Sequence, residues 1–284
     1  MRLKYLLILF PFLLTGCIKE QEKVSWLKIE KWDLVANPNA QNDPGVLTHN
    51  FNQVFVNMDG QMIGAFELPA KIPIIGEGLH NFILIPGVVN NGINATKARY
   101  PFMTHYNVDF ELKIEDTVTM HPETMYGQNV QFLVEDFETP GMQIINDGGP
   151  ADIERVSDQE FLEWGNFLGK VVLNNQDSLW LARTDFGVSF PKQGSNVYLE
   201  LDYINTNAIV TSVISANQNT IHEDVHIQIN PRTDMKWRKI YIDLKEIVSF
   251  RGNATVNEVG FSAVFDKITD ENVIYIDNVK VIFQ

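Results

Sequence analysis

The stretch QVFVNM-DG-QMIGAF, residues 53–66, decides the fold class of this chain. Two runs of apolar and β-branched side chains flank the dipeptide Asp59-Gly60. An Asp-Gly pair tolerates the two positive φ angles of a type I′ turn, so the stretch predicts a tight antiparallel hairpin. The surrounding sequence is therefore expected to form strands.

The strand pattern continues outward from this hairpin. Short apolar runs alternate with Gly, Pro, Asn and Asp, which favour turns. A second strand pair is predicted at 71–75 and 79–85, joined by Gly76-Glu77-Gly78. No stretch before residue 128 shows the 3.6-residue apolar period of a helix. Further strands are predicted at 99–102, 106–114 and 117–120.

Residues 26–127 carry the apolar triplets and turn residues of a known small domain. These are Val54-Phe55-Val56, Asp59-Gly60, Ile63-Gly64, Pro69, Gly78, His80, Ile83-Leu84-Ile85 and Gly87. With them the segment resembles PEGA-type and related Ig-like β-sandwich domains. The resemblance implies a spacer or interaction module and assigns no catalytic residue.

The sequence of the second half of the chain, residues 128–284, also predicts strands, with one possible short helix at 159–167. The predicted strands lie at 131–138, 170–173, 179–182, 197–203, 209–215, 225–229, 239–244, 258–265 and 273–283. Three motifs span this half: DFE at 136–138, WRKIYIDL at 237–244 and YIDNVKV at 275–281. They resemble the galactose-binding-like jelly roll used by many carbohydrate-binding modules. The expected architecture is all-β, with two β-sandwich domains, the second a jelly roll.

The jelly-roll resemblance implies a structural calcium where the first and last strands meet. Asp136, Glu138 and Asp277 are the carboxylates that could contribute to it. Calcium takes six to eight oxygen ligands, so these side chains could supply only part of the set. The alternative is that Asp136 and Glu138 are solvated residues of an outward strand face. No cofactor is required by the sequence.

A sugar-binding face is predicted on the strand 197–203. Alternation places Val197, Leu199, Leu201 and Tyr203 on one face and Tyr198, Glu200 and Asp202 on the other. The second face combines an aromatic ring with carboxylates that suit sugar hydroxyls. Trp180 and Arg183 on a nearby strand complete the candidate ligand set, and Trp164 lies in the possible helix. Core packing is the alternative for the tryptophans, and it is preferred for Trp237.

A formal H-E-x-x-H motif is the one string that indicates metal chemistry: His222-Glu223-Asp224-Val225-His226. Zinc hydrolases place this motif on a helix, where residues four apart share a face. Here Ile221, Val225, Ile227 and Ile229 recur at multiples of two, which is typical of a strand. Residues four apart on a strand lie about 13 Å apart, too far for two imidazoles to share one zinc. A chance match on a strand or loop is therefore favoured.

The N-terminus has the features of an export signal. Arg2 and Lys4 precede the apolar run Tyr5–Leu14, which ends in Leu14-Thr15-Gly16-Cys17. This ending resembles the lipobox of bacterial lipoproteins, which implies cleavage after residue 16, diacylglyceryl attachment to Cys17 and a lipidated tether over 17–25. The run is shorter than the roughly 20 residues of a transmembrane helix. By the same resemblance, Ile18 after the cysteine favours outer-membrane sorting.

Composition limits the class of partner. The chain has 36 acidic and 22 basic residues, a net charge of −14, and no electrostatic basis for binding nucleic acid. Cys17 is the only cysteine, so no internal disulfide can form.

These observations predict a lipid-anchored, non-enzymatic protein of the cell envelope, attached to the membrane through Cys17. Its jelly roll is expected to bind a glycan or an envelope protein. A structural or assembly subunit of an outer-membrane complex is the main alternative, and a zinc hydrolase using His222, Glu223 and His226 is a remote one.

Overall fold

The structure of the protein is a computed structural model that describes residues 24–284. The signal segment, cleavage after Gly16 and lipidation of Cys17 fall on residues that lie outside this described part of the chain. Within it the protein is built almost entirely of strands. The prediction of an all-β fold is confirmed.

Twenty-one strands and one helix make up the described residues, and they divide into two groups that pair only internally. The first group is β1 (Val24–Ile29), β2 (Asp33–Leu34), β3 (Gln53–Met58), β4 (Gln61–Glu67), β5 (Ala70–Ile75), β6 (Gly78–Val89), β7 (Lys97–Arg99), β8 (Tyr106–Leu112), β9 (Thr117–Met120) and β10 (Glu123–Thr124). The second is β11 (Gln131–Glu135), β12 (Ile144–Asn146), β13 (Ile153–Val156), β14 (Leu168–Leu173), β15 (Leu179–Thr184), β16 (Val197–Asn205), β17 (Ile209–Ala216), β18 (Ile221–Ile229), β19 (Arg238–Asp243), α1 (Lys245–Phe250), β20 (Val256–Val264) and β21 (Asn272–Phe283).

The first sandwich packs the sheet β5-β1-β9 against a sheet centred on β3 and β6. The hairpin predicted from residues 53–66 is present as β3-β4. Its turn residues Asp59 and Gly60 have φ angles of 51° and 79°, as a type I′ turn requires. Leu27 from one sheet and Phe82 from the other are fully buried in the core between them.

The strands predicted at 71–75 and 79–85 exist, but they do not pair with each other. Strand β5 pairs with β1, whereas β6 pairs with β3 and β8. Gly76 and Gly78 have φ angles of 156° and 96°, which other residues rarely adopt. The Gly-rich link is therefore a corner that carries the chain from one sheet to the other.

The tether predicted over residues 17–25 ends earlier than expected. Strand β1 begins at Val24, and Ser25 is buried. The Ser25 hydroxyl donates to the carbonyl oxygens of Gly76 at 3.0 Å and Lys113 at 2.9 Å. Ser25 therefore belongs to the first sandwich, because its polar side chain is satisfied inside that sandwich.

The second sandwich is the predicted jelly roll. One sheet has the order β13-β14-β21-β16-β19 with β11 also on β21, and the other has the order β12-β15-β20-β17-β18. The alternation predicted on β16 is confirmed, because Val197, Leu199, Leu201 and Tyr203 all pack into the core between these sheets.

The helix α1 follows β19 directly. It buries Val248 in the second core, and the half-buried Ile247 packs against the same core. No helix within residues 24–284 has the length and apolar character needed to cross a membrane.

The two sandwiches meet at the outer face of the sheet that contains β16, β19 and β21. Tyr198, Tyr241 and Ile282 of the second sandwich belong to the same hydrophobic cluster as the first core. An isolated bridge joins Asn90 to Tyr241. The contact is therefore continuous with the first core.

We expect Leu84→Ala on β6 to destabilise the protein by about 2–5 kcal/mol, because it opens a cavity in the first core. Leu84 has no exposed surface, whereas Leu79 on the same strand is 73% exposed. Leu79→Ala is the matched control and should change the free energy of unfolding by less than about 0.5 kcal/mol. Urea denaturation of residues 24–284 measures both. Equal effects of the two substitutions would contradict the assignment of Leu84 to the core.

Candidate functional site

The polar-aromatic face predicted on β16 exists, but it is not open. Tyr198, Glu200 and Asp202 point away from the second core, and their exposed fractions are 4%, 0% and 2%. The first sandwich covers them, with Tyr100 and Thr48 in hydrogen-bond contact. The ligand site predicted on this face is therefore not accessible there, because the chain's own first half occupies it.

Five buried charged residues lie on the covered face. We call them the seam cluster: Glu200, Asp202, Lys239, Asp277 and Lys280. The Nζ of Lys239 lies 3.0 Å from Glu200 Oε2 and 3.4 Å from Asp202 Oδ2. From the first sandwich, the Thr48 hydroxyl donates to Asp202 Oδ2 at 2.6 Å. The ion pairs of the second sandwich are thus completed by a group from the first.

Two buried tyrosines of the first sandwich donate to Glu200. The Tyr100 hydroxyl bonds to Oε1, and the Tyr126 hydroxyl lies 3.2 Å from the same oxygen. Burial, and then the negative charge of Glu200, raises the pKa of both phenols well above the usual value. Both hydroxyls therefore stay protonated and act as donors.

The other two members of the seam cluster have strongly shifted pKa values. Burial lowers the pKa of Lys280 to about 8, and its ammonium donates to the Val46 carbonyl of the first sandwich. Burial, with the nearby charge of Asp202, raises the pKa of Asp277 to about 8. At neutral pH Asp277 is therefore mainly protonated.

Trp180 and Arg183 do not join the candidate ligand set. Trp180 is fully buried between the sheets and stacks on Phe261 with ring centroids 6.0 Å apart. Arg183, on the outward face of β15, pairs with Glu258 at 2.8 Å and Asp147 at 3.3 Å. The prediction of a ligand platform at Trp180 is wrong, because the alternation of β15 turns this ring into the core. Arg183 lies on the sheet opposite β16.

The carboxylates predicted to bind calcium are engaged within the chain. Glu138 accepts hydrogen bonds from the backbone N–H of Asn166 at 2.7 Å and of Phe167 at 3.0 Å. Asp136 accepts from the Glu138 N–H at 3.1 Å, and both charges help to raise the pKa of Asp277. Within residues 24–284 no three His, Cys, Asp or Glu side chains come together so that they could hold a metal ion. Calcium binding by Asp136, Glu138 and Asp277 stays a prediction.

The H-E-x-x-H motif, residues 222–226, lies on the edge strand β18 and not on a helix. Asp224 forms a two-point ion pair with Arg251, with both N–O distances 2.6 Å. His226 Nε2 lies 2.8 Å from the Asp243 carbonyl oxygen and donates to it. The strand prediction is confirmed, and the helical geometry that a zinc hydrolase requires is not present in this segment.

An open cleft of about 1070 Å³ lies beside the seam cluster, at the boundary of the two sandwiches. Asp202, Lys239 and Tyr241 form part of its lining, together with two tryptophans that the sequence did not bring together. The rings of Trp164 and Trp237 are half-buried, with centroids 5.3 Å apart and planes at 63°. We call these two residues the tryptophan pair.

The residues around Trp164 are held by other segments. The helix considered at 159–167 is wrong, because this stretch forms turns. Trp237 Nε1 donates to the Phe161 carbonyl at 2.9 Å, Gly165 has a φ of 67°, and Glu138 binds the N–H of Asn166. Side chains from other segments thus bind the Phe161 carbonyl and the Asn166 N–H, which would pair within the segment in a helix.

Trp237 is also placed differently from the prediction. It was expected in the core, but it precedes β19 and lies half-buried at the cleft. One side packs on a small cluster that contains Leu168, Ile204 and Tyr275. Its neighbour in the cleft, Trp164, lies far away in the sequence. No local pattern could therefore have revealed the pair.

Comparisons with known proteins give only distant likenesses. No protein-family model and no curated protein matches the sequence. Among solved structures, the chain is similar to the C-terminal family 22 carbohydrate-binding module of Clostridium thermocellum Xyn10B, with 15% identity and a TM-score of 0.38 over 52% of this chain and 91% of that one.

Two further solved structures are similar to this chain. One concerns carbohydrate-binding modules of the β-sandwich superfamily, with 15% identity and a TM-score of 0.39 over 80% of this chain and 83% of that one. The other is a family 29 carbohydrate-binding module, with 13% identity and a TM-score of 0.35 over 54% and 86%. Because every one of these scores is below 0.5, the likenesses carry no argument about what this chain binds.

We expect Asp277→Asn to stabilise the protein more at pH 7.5 than at pH 5. The folded pKa of about 8 lies above the usual value of 3.8, so stability linked to the Asp277 proton is complete below about pH 4 and is lost as the pH rises toward 8. Asparagine is neutral throughout and removes this loss. The difference in unfolding free energy between variant and parent should grow by about 1 kcal/mol or more between the two pH values, measured by urea denaturation.

An unchanged difference at the two pH values would show that Asp277 is ionised in the folded protein. The Asp277→Asn variant should still lose some stability as the pH rises, because burial also raises the pKa values of Asp202 and Glu135.

Proposed function

We propose that this chain is a lipid-anchored, non-enzymatic glycan-binding protein of the bacterial cell envelope, and that the glycan binds in the cleft beside the seam cluster. The observation that carries the proposal is the tryptophan pair, Trp164 and Trp237, which lines a cleft rich in polar side chains. The tryptophan pair is not part of the ligand-binding set predicted from the sequence of β16, but the proposed ligand is a glycan in both cases.

Aromatic rings and mixed polar groups are what a sugar requires. The C–H faces of a pyranose stack on flat rings, and each hydroxyl is both a donor and an acceptor. Beside the tryptophan pair, the cleft offers amide groups on Asn50 and Asn94, the acceptor Glu163 and the donor Arg232.

A binding role fits the cleft better than a catalytic one. Asp202, the buried carboxylate at the cleft, is held by the Thr48 hydroxyl at 2.6 Å and by the ammonium of Lys239. A general acid or base must reach the substrate within hydrogen-bond distance. Both contacts are made by the same oxygen, Asp202 Oδ2, which is therefore engaged within the seam.

The lipid anchor is inferred from the sequence. The ending Leu14-Thr15-Gly16-Cys17 supports lipidation of Cys17, and Ile18 supports sorting to the outer membrane. A net charge of −14 gives the protein little attraction for anionic lipid, so the acyl chains must hold it at the membrane. In chain order, the first sandwich lies between the tether and the second sandwich.

We expect Trp164→Ala to weaken glycan binding about tenfold or more, because truncation of a tryptophan in a binding site costs about 2 kcal/mol. Residues 24–284 are screened on a glycan array, and hits are measured by isothermal titration calorimetry. Trp26→Ala is the matched control, since Trp26 is half-buried in the first sandwich, contacts Lys71 and does not line the cleft. It should bind as the parent does.

A chain that binds no array glycan at millimolar concentration would contradict the proposal. The assembly role would then become the preferred function.

We expect Cys17→Ser to move the full-length protein from the membrane fraction to the soluble fraction of the producing bacterium, because the acyl chains attach to that thiol. Mass spectrometry of the native product should show the lipid mass on Cys17. An unmodified thiol in a protein that still sediments with membranes would contradict the anchor.

A further inference from the structure

The cleft is built by both sandwiches. The second sandwich supplies the tryptophan pair and the segment Arg232–Lys239. The first supplies two short segments, residues 48–52 and 89–94. The side of the cleft formed by these two segments, which includes His49, Asn50, Asn52 and Asn94, we call the amide wall.

The amide wall is fixed to the second sandwich through its backbone. The N–H of Asn50 donates to the Tyr241 hydroxyl at 2.7 Å, and the N–H of Asn91 donates to the Tyr241 carbonyl at 2.8 Å. The side chain of Asn91 accepts from the Asp243 N–H at 2.8 Å. Both segments are therefore held beside the same strand, β19, and the wall is preorganised.

Two asparagine side chains of the amide wall remain available to a ligand. Those of Asn50 and Asn94 are exposed and form no hydrogen bond with other residues of the 24–284 range. His49 Nδ1 accepts from the Phe51 N–H at 3.4 Å, which leaves the proton on Nε2. Burial, and then the charge of Lys239, lowers the pKa of His49, so the ring is neutral. The wall thus offers uncharged donors and acceptors.

The charged side chains of the cleft that form no ion pair within the described part of the chain balance in number. Its lining holds four cations and three acids: Arg232, Lys236, Arg238 and Lys239, with Glu160, Glu163 and Asp202. Lys239 is paired with Asp202, and Arg238 is paired with Asp234 outside the cleft. The remaining two cations and two carboxylates form no ion pair among residues 24–284. A polyanion would gain no net attraction here and would be repelled by a chain of net charge −14.

The size of the cleft indicates a ligand of several rings. Sites for drug-sized ligands enclose about 300–1,000 Å³. A cleft of about 1070 Å³ that extends from the tryptophan pair to the amide wall is too large to be filled by one sugar unit.

We infer that the amide wall is a second subsite, and that the ligand is an uncharged oligosaccharide long enough to contact the tryptophan pair and the amide wall at once. This inference rests on the proposed function. It makes the first sandwich a part of the binding site that selects for chain length, and it predicts that the second sandwich alone recognises only the end of the ligand at the tryptophans.

The test is isothermal titration calorimetry of residues 24–284 with xylo-, cello- and manno-oligosaccharides of two to six units, and with oligogalacturonates of the same lengths. The affinity for the neutral series that binds should rise about tenfold or more between two and six units. In the double variant Asn50→Ala/Asn94→Ala the six-unit ligand should lose about tenfold, and the two-unit ligand should bind unchanged.

Asn219→Ala is the control, because Asn219 is exposed and lies outside the cleft. Equal losses at all lengths, no loss at six units, or tighter binding of oligogalacturonates than of neutral oligomers would each overturn the inference, while loss of binding in Trp164→Ala would still uphold the proposed function. If no glycan binds the parent chain, both fail.

Discussion

A buried ion pair within the second sandwich, between Lys239 and Glu200, is covered and completed by the first sandwich, and the rest of the structure depends on this contact. Removing these charges from water costs several kcal/mol per ion, which the pair alone does not recover. The balance is met by donors from the first sandwich, since the hydroxyls of Tyr100 and Tyr126 bind Glu200 and the hydroxyl of Thr48 binds Asp202. Docking of the first sandwich is thus what makes this burial tolerable.

The same contact creates the cleft. Tyr241 lies at the centre of the seam, with its ring 5.0 Å from Tyr100 and 5.8 Å from Phe51. Its hydroxyl and its carbonyl each accept a hydrogen bond from one of the segments that form the amide wall. A change that loosens the seam therefore also moves the wall of the cleft. The position of the cleft at this boundary follows from how the two bodies dock.

Alternation along β16 explains both what was predicted and what was missed. The period of two correctly separated the apolar face of Leu199 and Leu201 from the polar face of Glu200 and Asp202. A polar face on a strand usually borders water or a ligand, but here it borders Tyr100 and its neighbours in the first sandwich. Nothing within residues 197–203 specifies which of these surroundings applies.

The sequence by itself determined the strand content, the hairpin at Asp59-Gly60 and the inward face of β16, because each depends on local turn chemistry or on a period of two. It also correctly placed residues 225–229 on a strand. Only the tertiary structure decided that β5 and β6 lie in different sheets, that Glu200 and Asp202 are covered, and that Trp164 meets Trp237. These features join residues between about 70 and 150 positions apart or depend on sheet partners, and such long-range contacts are set by the packing of whole surfaces, which no local pattern encodes.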